Sequence, residues 1–567
     1  MSDLSALARM HAAVDAHTLQ RHLEWFSTVP RDTGGEGEDR AAAYLASELK
    51  AAGMTVLMHE FDAFLSYPRQ AALRVTEPKS QAFACVTHSF ARSTPAAGLA
   101  AEIVLIAGSD FTPARDRIAL VDGLATPVTI LQASRAGCAA IIFANQDRFI
   151  HNMIGTTIWG TPELVELDRM PTVAAISIDV DAGDAIKSML SRGPVQAVMT
   201  TQVDTGWYRS KLPEVRIPGR REPERFVLVG GHYCAWHEGI TDNATGDACV
   251  LEMAKLLWQE RASLERSVRL CWWPGHSHGR YSGSTWYADT FFHDLAEHGL
   301  AYYNIDSPGV KGATAYYCRN TCAEYEGYCQ SVIASVTGQT NAPVFRPLRA
   351  ADQSFLASGM PSFSAYPFLP DGHPDKRAWT GGCGNAWWWH TEHDTLDKAD
   401  VSILATDVKV GLEAVWGLAS ATFLPLDYRA TAKELAAVVS GFAQQAPDLD
   451  FAPLLADIRT LATALDAFAA RGADPAAADA WNATAIRLGR ILNPLIYTRG
   501  GRFHHDPAEW SPILRATKRF TLPGLNQAEG LTALAGTPEH GFLKTQLGRE
   551  LNRATAIVRD AIHQLRG

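Results

Sequence analysis

The chain has 567 residues, 47% of them apolar and 20% charged, a composition ordinary for a globular protein and unlike a disordered or fibrous one. At roughly 100 to 200 residues per domain, that length leads to three or four domains. The net charge of −10 and a pI near 6.0, with no Lys/Arg run able to track a phosphate backbone, argue against nucleic acid as a partner.

In chain order, the opening MSDLSALARMHAAVDAHTLQRHLEWF has no continuous apolar stretch of signal-peptide type. No later segment approaches the ~18 apolar residues that span a bilayer, so a cytoplasmic protein with no membrane partner is expected. The nine cysteines are scattered without paired metal-finger spacing and read as reduced, mostly buried thiols. From Gly37 to Leu57 the periodicity predicts an amphipathic helix ending at Gly53 and then a strand. Residues 65–205 form a block of short β-rich runs (AEIVLIAG, RIALVDG, GCAAIIFAN, MPTVAAISI) punctuated by Gly and Pro, read as an inserted domain. After the Pro-rich KLPEVRIPGRREPE, strands and helices alternate (RFVLVGGH, GDACVLEMAKLLWQE, SVRLCWWPGH, AYYNID), the order of a doubly wound α/β sheet. Beyond about residue 430 the chain is Ala-rich and helical. The expected division is 1–64 and 206–430 for the α/β core, 65–205 for the insert and 431–567 for the helical tail.

Chemistry concentrates where strands of a parallel sheet should end: His232 after VLVGG, His276 after CWWPG, Asp306 after YYNI, and Asp242 opening a helix. Open α/β sheets bind ligands at such carboxyl edges. Imidazole and carboxylate hold divalent metals, and one aspartate can bridge two ions.

The strings GGHYCAWHEGITDNATGDACVLEMAKLL, SVRLCWWPGHSHGRYSGSTWYAD, AYYNIDSPG and WWWHTEHDTLDKAD resemble, in type and order, the metal motifs of the zinc aminopeptidase and glutamate carboxypeptidase family. The insert looks like that family's protease-associated domain. The tail looks like the helical dimerisation domain of glutamate carboxypeptidases and transferrin receptors. The resemblance therefore implies a doubly wound, mixed-sheet metallopeptidase core of the phosphorylase/hydrolase type and a homodimer. It also implies that His232 and Asp306 hold one metal, Asp242 bridges, His390 holds a second, and Asp394 supports His390. Zinc is the expected ion, one or two per chain, with manganese or iron as alternatives.

Where the family carries two adjacent glutamates, a general base and a metal ligand, this chain carries none. An ungapped reading from SVRLCWW places His276 and Ser277 there; a reading from the later GS places Ser277 and His278. His276 is the candidate base or replacement ligand, and His278 the runner-up. The acidic residue expected two positions after the first histidine ligand is replaced by Cys234, a candidate thiolate ligand or neighbour of the metal shell, or a small buried thiol. Glu238 and His237 lie in the loop that the family places over the metals, as substitute acid, base or substrate contact, or as a solvated pair. Trp389 is the best placed of three successive tryptophans for stacking on substrate, since three in a row cannot face one way. IYTRGGRFHHDPAEW resembles the loop that the carboxypeptidase branch returns to the active site, making Arg502 and His504 substrate contacts or surface residues. LRAADQSFLASGMPSF is given a structural role.

The function implied is a metal-dependent hydrolase of an amide, peptide or related C–N bond in a small molecule or short peptide. A histidine would replace the glutamate base acting on metal-activated water. A non-hydrolytic lyase on the same residues and an inactive receptor-like scaffold are the alternatives.

Overall fold

The computed structural model describes residues 4–472, 474–508 and 521–566. Four strands, Glu222–His232, Arg266–Trp273, Gly299–Asn304 and Ser362–Phe368, run parallel. Their side chains alternate between two buried faces: Val227, Val229, Val268, Leu270 and Trp272 enter one core, and Phe226, Leu228, Cys271 and Trp273 the other. That period of two, buried on both sides, is why these segments read as nearly continuous apolar runs. Glu222–His232 lies centrally, with Arg266–Trp273 on one side and Gly299–Asn304 on the other. The sheet therefore reverses direction of growth at the strand that ends in His232, the position where such sheets bind ligands.

The strand Val195–Ile217 links this core to the β-rich block. Its end pairs with Val268–Cys271, and its beginning with Leu99–Ile103. It also pairs along most of its length with Val56–Glu77, giving one 13-stranded sheet. The expected boundaries at 64/65 and 205/206 fall inside this long strand pair, so the block from 65 to 205 extends the core sheet. The helix expected near the start is Glu36–Ala51.

Behind the sheet, Thr245–Gln259 is buried along nearly its whole length and packs against Val401–Ser420. Tyr428–Gln445, Ala452–Arg471, Ala478–Tyr497 and Pro538–Arg566 follow. Their apolar stripes, among them Leu435, Val439, Leu461, Leu465, Leu488, Leu492, Leu547 and Val558, join the same core within the chain. Among the described residues, no helix is long and apolar enough to cross a membrane.

Candidate metal centre

His232 closes its strand, and the two residues before it must be small. A Cβ on Gly230 would lie 2.3 Å from the Trp273 ring, and one on Gly231 2.4 Å from the Ile305 carbonyl. Asn243, fully buried, ties the neighbouring strand ends together: its amide donates to His232 O and Ile305 O, and it accepts from Ser307 N. His232, Asp242 and Asp306 are thereby brought to one point, with donor atoms all within 4.8 Å of one another.

Asp242 faces a histidine with each oxygen. Its Oδ1 lies 3.0 Å from His232 Nε2 and its Oδ2 lies 3.3 Å from His390 Nε2, while Asp306 Oδ1 is 3.8 Å from His232 Nε2. Both rings are turned by backbone carbonyls on their other nitrogen, His232 Nδ1 by Cys234 O at 2.8 Å and His390 Nδ1 by Asn152 O at 2.7 Å. Such bonds fix the tautomer and leave Nε2 for a ligand. His390 holds a left-handed backbone, φ 59°, rare for a non-glycine residue outside constrained sites.

The donor set fits a divalent cation. His232 Nε2 is buried and makes no hydrogen bond of acceptable angle, although two carboxylate oxygens face it. Bonds of about 2.0–2.1 Å in tetrahedral array would set donors roughly 3.3 Å apart, close to the separations found. Electrostatics agree. Burial alone would raise Asp242, yet the close imidazoles of His232 and His390 hold it well below the usual carboxylate range. Burial likewise favours neutral His232, and the facing carboxylates of Asp242 and Asp306 together with Cys234 override that and raise it. The cluster attracts positive charge. His232, Asp306 and one Asp242 oxygen form the better-furnished position; His390 and the other oxygen form a two-donor position.

His276 stands beside this cluster, its ring stacked on His232 at 3.9 Å between centroids. Its Nδ1 lies 2.8 Å from Asp352 Oδ2, and Asp352 Oδ1 accepts from Ser284 Oγ at 2.9 Å. Burial, and then the charge of His232, lower His276, while Asp352 opposes both. Asp352 belongs to the LRAADQSF string, whose expected role was structural only. The structure corrects this: its carboxylate orients the candidate base.

His276, Asp242, Asp306, His390 and Trp389 line one cleft of about 580 Å³, partly open to solvent and closed on one side by Pro127, Met153 and Ile154 of the 65–205 block. Trp389 stacks on His390 at 3.9 Å. The other two tryptophans diverge: Trp388 donates to Thr241 Oγ1, and Trp387 stacks on Phe149.

Several expected residues lie elsewhere. His278 packs against Tyr67 and Trp236 with Nε2 3.6 Å from Asp32, outside the cleft lining, because the loop reverses between it and His276. His237 is exposed and Glu238 half-buried, and neither lines the cleft. Asp394 does not reach His390. It accepts from Thr241 N, Thr241 Oγ1 and Asp242 N, so it fixes the backbone that presents Asp242. Burial pushes it to about 7. Cys234 supports the shell twice, through its carbonyl on His232 and through Sγ, which accepts from His276 N at 3.2 Å. Arg502 and His504 line a separate recess with Ala288, Phe292 and Phe503. Asp506 holds their loop by bonding to Arg349, Arg499 N and Gly500 N, and His504 bonds Glu163. The Ala508 end of that string is described, and residues 509–520 lie outside the described residues.

Residues 215–413, which include every donor above, match the model of peptidase family M28. Over that segment the chain is similar to peptidase family M28. Among curated proteins it is 25% identical over 359 residues to the Zea mays protein named "Probable glutamate carboxypeptidase VP8", covering 50% of this chain and 49% of that one. It is 32% identical over 135 residues to aminopeptidase NAALADL1 of Mus musculus, covering 22% and 17%. The chain thus spans about half the length of the maize relative. Among solved structures, the aminopeptidase from Aneurinibacillus sp. strain AM-1 superposes with a TM-score of 0.56 at 19% identity, over 72% of this chain and 95% of that one. A zinc aminopeptidase from Bacillus subtilis gives 0.56 at 17%, over 71% and 95%. At these identities the likeness concerns the fold, a mixed α/β sheet flanked by helices.

Proposed function

We propose that this M28-like domain is a metal-dependent hydrolase of an amide or peptide bond in a small substrate, with His276 in place of a carboxylate base. The observation that carries the reading is the Asp352–His276 pair set beside the His232–Asp242–Asp306 donors in one cleft. His232, Asp242, Asp306 and His390 would hold the metal, zinc by preference because imidazole and carboxylate suit it, with manganese or iron as other occupants. Such an ion supplies an acidified water and polarises a carbonyl.

The chain's own residues do the rest. Asp352 fixes His276 with Nδ1 engaged, so that Nε2 is the nitrogen free to take a proton from water in the cleft and return it to the leaving amine. Burial keeps the ring neutral and able to accept. Trp389 on one side and Pro127, Met153 and Ile154 on the other narrow the access of bulk water, and a partly open cleft of this kind suits a small ligand rather than a folded protein. The maize and mouse relatives, named for carboxypeptidase and aminopeptidase activity, support the same class.

Within this reading the 65–205 block is a protease-associated-like insert and 431–567 a dimerisation-like helical domain. The tail's apolar stripes are occupied inside the chain, so a homodimer would meet through other surface. The test is hydrolysis of a panel of dipeptides and N-acyl amino acids by wild type and His276→Ala. The expected result is a kcat lower by about 10²- to 10⁴-fold with bound metal retained. Unchanged turnover in the variant, or no turnover of any amide by wild type, would contradict the reading.

A further inference from the structure

The 65–205 block reaches the metal centre at His390. This residue faces Asp242 Oδ2 and completes the two-donor position, and it holds a left-handed backbone that a non-glycine residue keeps only where its surroundings impose it. Three hydrogen bonds to two consecutive residues of the block hold it there. Asn152 donates from its backbone N to His390 O at 2.9 Å and accepts from His390 Nδ1 at 2.7 Å, while His151 Nδ1 lies 2.6 Å from Trp389 O. A carbonyl can only accept, so His151 carries its proton on Nδ1. Its Nε2 is buried without a hydrogen-bond partner, and the ring, fully buried, meets Trp379 edge to face at 5.1 Å. The Trp389 carbonyl is thus the only hydrogen-bond partner of this ring among the described residues.

The clamp is anchored in the block. Asn145, which follows the strand Ala140–Ala144, donates from N to Ile178 O and from Nδ2 to Gly123 O, and its Oδ1 accepts from His151 N at 2.9 Å. Beyond the clamp, Met153 N donates to His88 Nδ1 and Gly155 N to Ser89 O. Residues 145–155 are therefore fastened at both ends to the block rather than to the strands that end in His232 and Asp306. The two metal positions differ accordingly. Strand ends tied by Asn243 set His232, Asp306 and one Asp242 oxygen, whereas the block sets His390.

We infer that the His151–Asn152 segment is a positioning element that sets the affinity of the second metal position, so that the 65–205 block controls whether one ion or two are held. This rests on the metal-centre part of the hydrolase reading and assigns no substrate. His151 touches no donor atom and acts through the Trp389–His390 backbone.

The test adds cobalt(II) in steps to chelator-stripped wild type, His151→Phe and His151→Asn, and follows uptake by visible absorption and elemental analysis. Phenylalanine keeps a ring and removes the donor, whereas the asparagine amide can donate near the place of Nδ1. Wild type should take up two ions. In His151→Phe the second should bind about tenfold or more weakly and the first within about threefold of wild type, with His151→Asn recovering part of the loss. Coupling between sites is reciprocal, so filling the second position of wild type should slow amide hydrogen exchange in residues 145–155 relative to the one-ion form. That measurement decides the matter even where His151→Phe does not fold. Uptake of a single ion by wild type, a loss common to both steps or to neither in His151→Phe, or exchange unchanged between one ion and two would overturn the inference. Two ions held through His151 without hydrolysis of any amide would instead overturn the hydrolase reading and leave the positioning role standing.

Discussion

The two walls of the cleft are built by different means. One is the carboxyl edge of the parallel sheet, where His232, Asp306 and Asp242 follow directly from strands or open a helix, and where each donor meets an opposite charge or a carbonyl. The other is assembled from segments distant in sequence, Arg280, Trp389 and the strand-ending Arg319, with Asn152 and Asp352 turning His390 and His276 and with guanidinium nitrogens of Arg280 and Arg319 lacking a hydrogen-bond partner. The first wall is paired within the protein and suits a metal. The second is incomplete and suits a substrate. In the proposed reading, position along the sheet edge selects the groups that would bind an ion, and the second wall selects what is brought to it.

The sharpest way to break this contrast is at Asp352, a loop carboxylate acting on an edge residue. Asp352→Asn keeps shape and loses the charge that orients His276. It should lower kcat by about 10- to 100-fold with KM nearly unchanged and metal content retained, the size expected for a residue that aims another. A purely structural role would lower unfolding temperature and leave kcat alone, and a steady-state comparison at matched metal loading separates the two.

A smaller effect, on stability, is expected behind the edge. Asp247 is fully buried with both oxygens unpartnered, and burial pushes it to about 8 against the opposing charges of Arg31 and His232. A carboxyl whose folded pKa exceeds its unfolded value near 3.8 destabilises the fold progressively as pH rises from that value to about 8. Asp247→Asn should therefore match wild type near pH 3.5 and exceed it increasingly up to pH 8, by on the order of 1 to 3 kcal/mol there. Denaturant unfolding at several pH values checks this; a gap independent of pH would contradict it.

The smallest change belongs to His278, two residues from His276 and turned toward Tyr67 and Trp236. His278→Gln should alter kcat/KM by no more than about threefold, since it touches neither cleft nor donors. A loss comparable to His276→Ala would show that the two histidines share the work.

What the sequence disclosed follows the same division. The strand ends announce themselves because apolar runs stop at His232 and Asp306, and short-range periodicity carries that information. His276 was legible for the same reason. Asp352 was not, because its partner is 76 residues away and its string carries no periodic signal. The carbonyl of Asn152 that turns His390 has no side-chain signature at all, and Asp394, assigned to His390 through the family resemblance, instead contacts Thr241 and Asp242. The 64/65 and 205/206 boundaries follow a change in composition, and the strand pairing that continues across them leaves no mark in it.

The central claim is that the sheet edge holds a divalent cation through Asp242. Elemental mass spectrometry of wild type and Asp242→Ala, both purified without chelator or added metal and both checked for folding by circular dichroism, tests it most directly. The account predicts at least about one divalent ion per wild-type chain and near-complete loss from the variant, because Asp242 serves both histidines. A wild-type protein free of metal, or a variant that retains the wild-type content, would contradict it.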